Sequence, residues 1–540
     1  MSSVRRGRAA VALSPPKLMP ARSGPPKGRV LPAAVEGRTD RALQAVLDAV
    51  RFPLTRLVRS VAERLTSDER ALGLAVLEVE VHEAVLALGR DLLTELVRLR
   101  GTGSRGHSYV CPCGVRLVLK ETASLQQRTW FGTITLERAV YAGAGCQVRA
   151  HHVPLDADWA LLGVAPPPAA LPNPDGRTLV AAPPGTGAAR LAPAFAAVVA
   201  EFGAQLPYAV AADLLERACG ATAHLSPTTV GAYTQAAGQA RAQQEDALRV
   251  RTQPPARAER QAVFDRPPSA PPDEAPETLV ISMDGALERT DDGWKEVKLG
   301  AVYTLLRRVR HVGATATAVL EAGATTYTAT LAVAQTFARQ LVTVAQRRGL
   351  GWARQVVVLG DGARWIWKLA DRRFPRAVQI VDWFHAREHL WALAQLLYGE
   401  GTATAWTWLE TLAGELWTAK TTADVAVLAQ AAEEAWATPR KDLPDGTPRR
   451  TRQRQREVTK AVAYFTANAS RMRYGAFRAL DLPVGSGVVE GGCQSVLHVR
   501  LKRPGACWSA VGAEAMVRAR ALLCSDPTPA CSHPWDCLAC

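Results

Sequence analysis

Apolar and polar positions follow three different periods along this chain, and each period marks a stretch of its own. Between residues 40 and 99 apolar residues recur at helical spacing. The segment ALGLAVLEVEVHEAVLALGRDLLTELVRL holds that spacing without a proline as far as Gly101, a plausible stop. Thr66, with Glu69 three residues later, fits a capping box ahead of it. From 105 to 153 the period shortens to two: RLVLKE and TWFGTITLERAVYAG alternate β-formers and predict hairpin-like strands. Residues 155–190 are rich in Ala, Pro and Gly and predict a linker. Helical spacing returns over 191–245, where AVAADLLERACG and a segment starting at Ser226 or Pro227 predict two helices about a turn. A helix-turn-helix reader of DNA has this outline, and so do ordinary αα-hairpins. Residues 246–277 hold seven prolines and predict a second linker.

After Glu277 the third pattern appears: short continuous apolar runs separated by helical stretches. TLVISMDGA predicts a strand ending at Asp284, WKEVKLGAVYTLL a second and TATAVLEAG a third; a helix over 328–348 stops at Gly349. The runs 356–359 and 377–381 are rich in Val and Ile, and each ends in an aspartate, Asp361 or Asp382, followed by a helix-like segment. Buried strands of a parallel sheet look like this, and open α/β sheets bind ligands at the carboxyl ends of such strands. Three antiparallel-type strands, a helix and then strand–helix–strand–helix is the order of a ribonuclease-H-like sheet. An all-helical stretch follows over about 400–480, with Trp406, Trp408, Trp417 and Trp436 as core anchors or base-stacking platforms. The chain then turns at Gly485-Ser486-Gly487 into a last helix that opens near Glu490.

The predicted fold class is therefore multidomain α+β: a ribonuclease-H-like α/β catalytic domain with an all-helical insertion, preceded by helical and small β, zinc-ribbon-like N-terminal domains. The boundaries are a basic arm 1–38, a helical region 39–104, the β region 105–154, a linker 155–190, the helical DNA-binding-like region 191–245, and a Pro-rich linker 246–277. The catalytic domain takes 278–399 and 485–524 around the insertion 400–484, with a cysteine-containing tail 525–540.

Length and charge sharpen this picture. A chain of 540 residues calls for several domains. A net charge of +15 points to a polyanion such as nucleic acid, or to a surplus that serves solubility. Residues 1–38 carry eight Arg and Lys and one acid, the composition of a disordered arm that touches DNA or stays solvated. RRTRQRQR places Arg449, Arg450, Arg452, Arg454 and Arg456 within eight positions without an acid, and phosphate contact is expected there, as it is at Arg500, Lys502 and Arg503. No run of 18 apolar residues predicts a transmembrane helix, and no secretory signal is visible, so a cytoplasmic location and no membrane partner are expected.

Ten cysteines are too sparse for a disulfide scaffold. Cys111 and Cys113, with Cys146 and His151 or His152, form an irregular zinc-ribbon pattern, since ribbons usually carry two C-x2-C pairs. It fits bound zinc or a ribbon that has lost its metal. Cys524, Cys531, Cys537 and Cys540, with His533, are a second irregular set.

Three carboxylates stand out by position. Asp284 ends the first predicted strand, Asp361 ends the fourth and Glu490 opens the last helix. In a ribonuclease-H-like sheet the first and fourth strands are neighbours and the last helix crosses their carboxyl ends, so residues 77 and 129 positions apart converge. Convergent carboxylates repel unless cations bind. Two Mg²⁺ ions, with Mn²⁺ as a substitute, suit such a site and in-line displacement at phosphorus. Against this stands the plain role of Asp-Gly in turns. His385, Glu388 and His389 also match H-x-x-E-H, an inverted zinc-peptidase motif, but that motif leaves the three carboxylates unexplained.

At this point SMDGALERTDDGWKEVKLGAVY, LGDGARWIWKLA, VDWFHAREHL and GSGVVEGGCQSVLHVRLKRPGACWS resemble the ISKra-type bacterial insertion-sequence transposases, Mutator-related enzymes of the DDE class. The resemblance covers most of 105–524 and is strongest over 278–524. It implies a ribonuclease-H-like domain with a helical insertion and a catalytic triad on Asp284, Asp361 and Glu490, and hence Mg-dependent DNA cleavage and strand transfer, with a catalytically silent, sequence-specific DNA-binding protein derived from a transposase as the alternative. Asp382-x-x-His385 matches the D/C-x-x-H motif, in a supporting role. Expected partners are terminal inverted repeats, target DNA and further copies of the chain in a synaptic complex. The N-terminal cysteine pattern departs from the family at Gly143, where a second cysteine is usual.

Overall fold

The structure is a computed structural model that describes residues 74–111, 113–143, 151–158, 190–220, 224–252, 275–312, 315–439 and 447–526, with scattered helical positions between 44 and 63. The chain divides into two units, Met1–Asp68 and Glu69–Cys540. Thr66, Cys146, the cysteines beyond Asp526 and most of both predicted linkers lie outside the described residues. The described fold is mixed α+β with two five-stranded sheets. Among the described residues no helix is long and apolar enough to cross a membrane.

Helix α1 (Leu74–Arg100) matches the long periodic segment. Its Gly89 lies so close to the Phe131 ring that a Cβ there would sit 2.4 Å from it. Phe131 belongs to the two-residue turn between β2 (Arg116–Thr129) and β3 (Gly132–Ala142). With β1 (Ser108–Val110), β4 (His151–His152) and β5 (Arg190–Leu191) these strands form the first sheet, in the order β1-β2-β3-β4, with β5 parallel to β2. Helix α2 (Pro154–Asp158) occupies the start of the predicted linker.

Helices α3 (Pro193–Gln205), α4 (Tyr208–Cys219) and α5 (Pro227–Thr252) share a small core of Phe195, Val199, Leu215, Leu225 and Val230. The sequence outline suits a DNA reader, but α5 is a packing helix. At Gly238 it approaches the C-terminal helix, Ala510–Leu523, so closely that a Cβ would lie 1.9 Å from the Ala515 carbonyl oxygen. Its buried Arg241 and Glu245 join Arg518 in an ion-pair chain, at 2.9 Å and 2.7 Å. Charged side chains in the second half of that helix are thus spent inside the fold, while Pro227, Thr228 and Ala232 near its start are exposed. The α5 helix also runs to Thr252, past the predicted boundary at 245.

The second sheet comprises β6 (Thr278–Thr290), β7 (Gly293–Val312), β8 (Thr315–Thr330), β9 (Gln355–Gly360) and β10 (Val378–Val381). Its order is β10-β9-β6-β7-β8, with β6, β7 and β8 antiparallel and β9 and β10 parallel to β6. Two boundaries differ from expectation. Strand β6 does not end at Asp284 but continues to Thr290, because the hairpin with β7 keeps pairing it as far as Thr290↔Gly293. Strand β8 takes in Thr325–Thr330, so helix α6 (Ala334–Arg347) starts later than 328; the β-branched threonines there favour the pleat.

Helix α6 covers one face of the sheet, where Leu341 and Phe337 close over Gly300. The other face meets the helical run 487–501, whose Gly492 rests on Tyr327 and Leu299. Between these lie α7 (Arg364–Arg373), α8 (Trp383–Tyr398) and the helices α9 (Ala403–Thr418), α10 (Thr422–Ala437), α11 (Arg452–Asn468) and α12 (Tyr474–Ala479). Their Leu409, Leu412, Leu428 and Phe465 share one core with the sheet. Trp408, Trp417 and Trp436 pack against that core, whereas Trp406 is half exposed.

Candidate functional site

Strands β6 and β9 run parallel from Thr278↔Gln355 to Met283↔Gly360. Asp284 and Asp361 are the next residue on each strand, so the two carboxylates stand side by side where the parallel pairing stops. Neighbouring carboxylates on adjacent strands disfavour each other's ionisation. The Asp361 carboxyl is accordingly held above its ordinary range, first by burial and then by Asp284, against the pull of the Ala363 backbone N–H, which donates to Oδ1 at 2.8 Å. Behind it the Tyr464 hydroxyl donates to the Asp361 carbonyl at 3.0 Å, and its ring fills the space over Gly362, whose φ of 101° admits no ordinary side chain.

Asp284 Oδ1 accepts from the Gly285 N–H at 2.7 Å, and Oδ2 accepts from the Cys493 thiol at 3.3 Å. Cys493 opens a π-helical stretch, Cys493–His498, between α13 (Gly487–Gly492) and α14 (Val499–Leu501). Its thiol is pushed well up by burial and by Asp284, which makes it a donor rather than a nucleophile.

Glu490, on α13, is exposed. Its Oε1 accepts from the Ser486 hydroxyl at 3.0 Å and lies 4.0 Å from His385 Nδ1. Asp382 is fully buried and caps α8: Oδ1 accepts from the His385 backbone N–H at 2.8 Å and lies 3.1 Å from His385 Nδ1. Its Oδ2 accepts from the Ser486 N–H and so ties α8 to the turn before Glu490. Burial pushes the Asp382 carboxyl up, but the hydrogen bonds from His385 and Ser486 outweigh it and leave the carboxyl below its usual range. The hydrogen bond to Asp382 in turn lifts His385 to about 9.

Asp284, Glu490, Cys493, Gln494 and His498 line one open cleft. Asp382, His385 and Glu490 bring one ligand atom each within 4.8 Å of one another, the one such group of three among the described residues. His389 is not in it; its ring stacks on Tyr464 at 3.9 Å. The two histidines of H-x-x-E-H therefore face different neighbours.

The predicted basic contacts separate into two kinds. Arg449, Arg450, Arg452 and Arg456 are exposed at the start of α11, although Arg450 also lies over the Trp436 ring. Arg454 is partly buried and donates to the Leu396 carbonyl at 3.1 Å. Lys502 and Arg503 are exposed, but Arg500 is 4% exposed, sandwiched against Tyr208 and Trp508. Its guanidinium is an internal strut, which removes it from the phosphate contacts expected from sequence. In the first sheet Cys111 Sγ lies 3.3 Å from His152 Nε2, Cys113 is exposed and His151 points outward.

Sequence reasoning missed Tyr464, Ser486 and Cys493. Cys493 carried a signal, since it follows Glu490 by three and shares its helix face. Tyr464 carried none, being 103 residues from Asp361. No protein-family model matches this chain, and no curated protein matches it.

Proposed function

We propose that this chain is a DNA transposase of the DDE class, which binds terminal inverted repeats, cuts DNA strands and joins the freed ends to target DNA. One observation carries the reading: Asp284 and Asp361 end the parallel rungs of two adjacent strands, and the helix bearing Glu490 crosses that same end and shares a cleft with Asp284. The strand order, third-second-first-fourth-fifth in chain sequence with the last two parallel to the first, supports the ribonuclease-H-like assignment and the resemblance to ISKra-type enzymes.

By residue type the donor set suits a hard cation, although Asp284, Asp361 and Glu490 do not bring their oxygens within 4.8 Å of one another as Asp382, His385 and Glu490 do. Three carboxylates offer oxygen ligands only; Asp361 is raised chiefly by burial and further by Asp284, and a cation would offset both. Asp284, Asp361 and Glu490 would hold Mg²⁺, which lowers the pKa of a bound water or hydroxyl and stabilises the leaving oxygen in phosphoryl transfer. The protein's own groups set the stage. Cys493 and the Gly285 N–H orient Asp284, and the Ala363 N–H orients Asp361. Asp382 anchors both His385 and the turn at Ser486, so the helix start that presents Glu490 is fixed to the sheet. The exposed arginines at the start of α11 are placed to meet phosphates.

The test is cleavage of repeat-ended DNA with Mg²⁺. Asp361→Asn is expected to lose about a thousandfold or more in strand cleavage while retaining end binding. Undiminished Mg²⁺-dependent cleavage by this variant would sink the triad.

A further inference from the structure

The continuation of β6 past Asp284 creates a second feature of the same cleft. Residues two and four along a strand share its face, so Glu288 lies on the Asp284 side, under the helical run 487–501. Cys493 meets Asp284, and five residues later His498 meets Glu288, with Nε2 and Oε1 3.4 Å apart. Glu288 is 2% exposed. Both atoms are shut off from solvent, yet they are not aligned for a hydrogen bond and neither has a hydrogen-bond partner. A buried pair left in this state calls for an explanation. With Nε2 turned inward, Nδ1 is the nitrogen left to meet a ligand from the cleft that His498 lines.

The backbone supports the same reading. Glu490, Gln494 and His498 are spaced by four, and in an uninterrupted α-helix each such step drifts about 40° around the axis. The π-helical stretch has a wider turn and takes up this drift. All three side chains therefore line one cleft. Among the described residues, and apart from the helix's own backbone and chain neighbours, no atom lies within 4 Å of where a Cβ would stand on Gly487 or Gly491, so the helix surface beside them is open.

We propose that His498 binds a backbone phosphate of the DNA strand in this cleft, through Nδ1–H to a non-bridging oxygen, with Glu288 as its positioning residue. This rests on the polynucleotidyl-transfer reading above. Eight residues of helix span at most roughly 12 Å, so the contact falls on a phosphate one or two nucleotides from the one cut near Glu490. The proton count suits an acceptor ligand. If Glu288 is ionised and His498 is an imidazolium, both ring nitrogens carry hydrogen. If Glu288 is protonated and faces Nε2, the ring hydrogen sits on Nδ1. Burial favours the second arrangement, pushing the Glu288 carboxyl up and the His498 imidazole down, with Lys502 opposing the rise on Glu288 and Asp284 opposing the fall on His498. Lys502 Nζ, 3.9 Å from Glu288 Oε1, adds a cation at the same end.

Methylphosphonate interference tests this without requiring catalysis. Duplex ends taken from the sequence flanking the coding region carry one neutral methylphosphonate at successive positions, and binding to the full chain is measured in Ca²⁺. The wild type is expected to lose about ten- to a hundredfold in affinity at one position near the cut. His498→Ala should weaken binding of unmodified DNA by a similar factor and show no further loss at that position. His498→Asn, which keeps a donor near Nδ1, should restore most of it, and Glu288→Gln should raise KM with little change in kcat. Wild-type affinity in His498→Ala, or an unchanged interference profile, overturns the proposal. A wild type that shows the profile yet cuts nothing with Mg²⁺ refutes the transposase reading and leaves the contact standing; one that binds no DNA refutes both. Should His498→Ala fail to fold, His498→Asn against His498→Leu carries the same comparison.

Discussion

Two carboxylate–imidazole pairs flank the helix that carries Glu490, and they respond to burial in opposite ways. In Asp382–His385 the carboxyl is held below its usual range and the imidazole rises to about 9. In Glu288–His498 the carboxyl is pushed up and the imidazole down. Both carboxylates are buried, at 0% and 2% exposure, so burial is not the difference. Hydrogen bonding is. Asp382 sits at a helix N-terminus, where backbone N–H groups of His385 and Ser486 converge on it. Glu288 stands in mid-strand, where its N–H and C=O neighbours are committed to the ladder and only side chains can reach it. Desolvation drives charge out of a pair unless aligned donors compensate it. Aligned donors favour the charged forms in the first pair, and without them burial favours the neutral forms in the second.

The contrast breaks most directly at Asp382. Asp382→Asn is expected to cost about 3 kcal/mol at neutral pH, because it leaves His385 without its buried partner. His385 has a raised pKa, so its contribution is complete below its unfolded value of about 6.5 and is lost as pH climbs through about 9. Asp382 has a lowered pKa, so its contribution is present above the ordinary carboxylate range and lost as pH falls through its depressed value. Denaturant melts across pH should show the deficit greatest between these limits and shrinking above pH 9. A deficit independent of pH would mean the pair is not charged.

Tyr464→Phe asks what an aligned hydrogen bond is worth without a charged partner. Loss of the donor to the Asp361 carbonyl should cost about 1 kcal/mol in thermal melts. A cost matching that of Asp382→Asn would show that alignment alone, not charge, stabilises this end of the site. The smallest effect is expected at Glu288→Gln. A carboxyl raised in the fold lowers stability as pH rises above its unfolded value near 4.5, and glutamine lacks that liability. The variant should fall within about 0.5 kcal/mol of wild type at pH 8, or above it. A loss of several kcal/mol would erase the contrast and give both pairs the same structural role.

Much of the second sheet was legible in sequence, because short Val- and Ile-rich runs ending in Asp361 and Asp382 are distinctive. The end of β6 was not. Asp-Gly reads locally as a turn, and only pairing with β7 carries the strand on to Glu288. Arg500 read as a phosphate contact by composition and proved internal, since Tyr208 from a helix nearly 300 residues earlier covers it. Over 191–245 the sequence predicts two helices and the structure has three, and their contact with the C-terminal helix was not legible.

The sequence by itself determined where the chain changes period and which residue types carry chemistry: three carboxylates, a D-x-x-H, a basic run. Those are local properties, set by side-chain preference and spacing along the backbone. Tertiary structure alone decided which of these groups meet. Sheet register set Asp284 beside Asp361, the crossing of helix 487–501 set Cys493 on one carboxylate and His498 on another, and a hydrogen bond to Ser486 tied Asp382 to the turn before Glu490. Contacts of this kind depend on how distant segments pack to bury a shared core, and no local period encodes that.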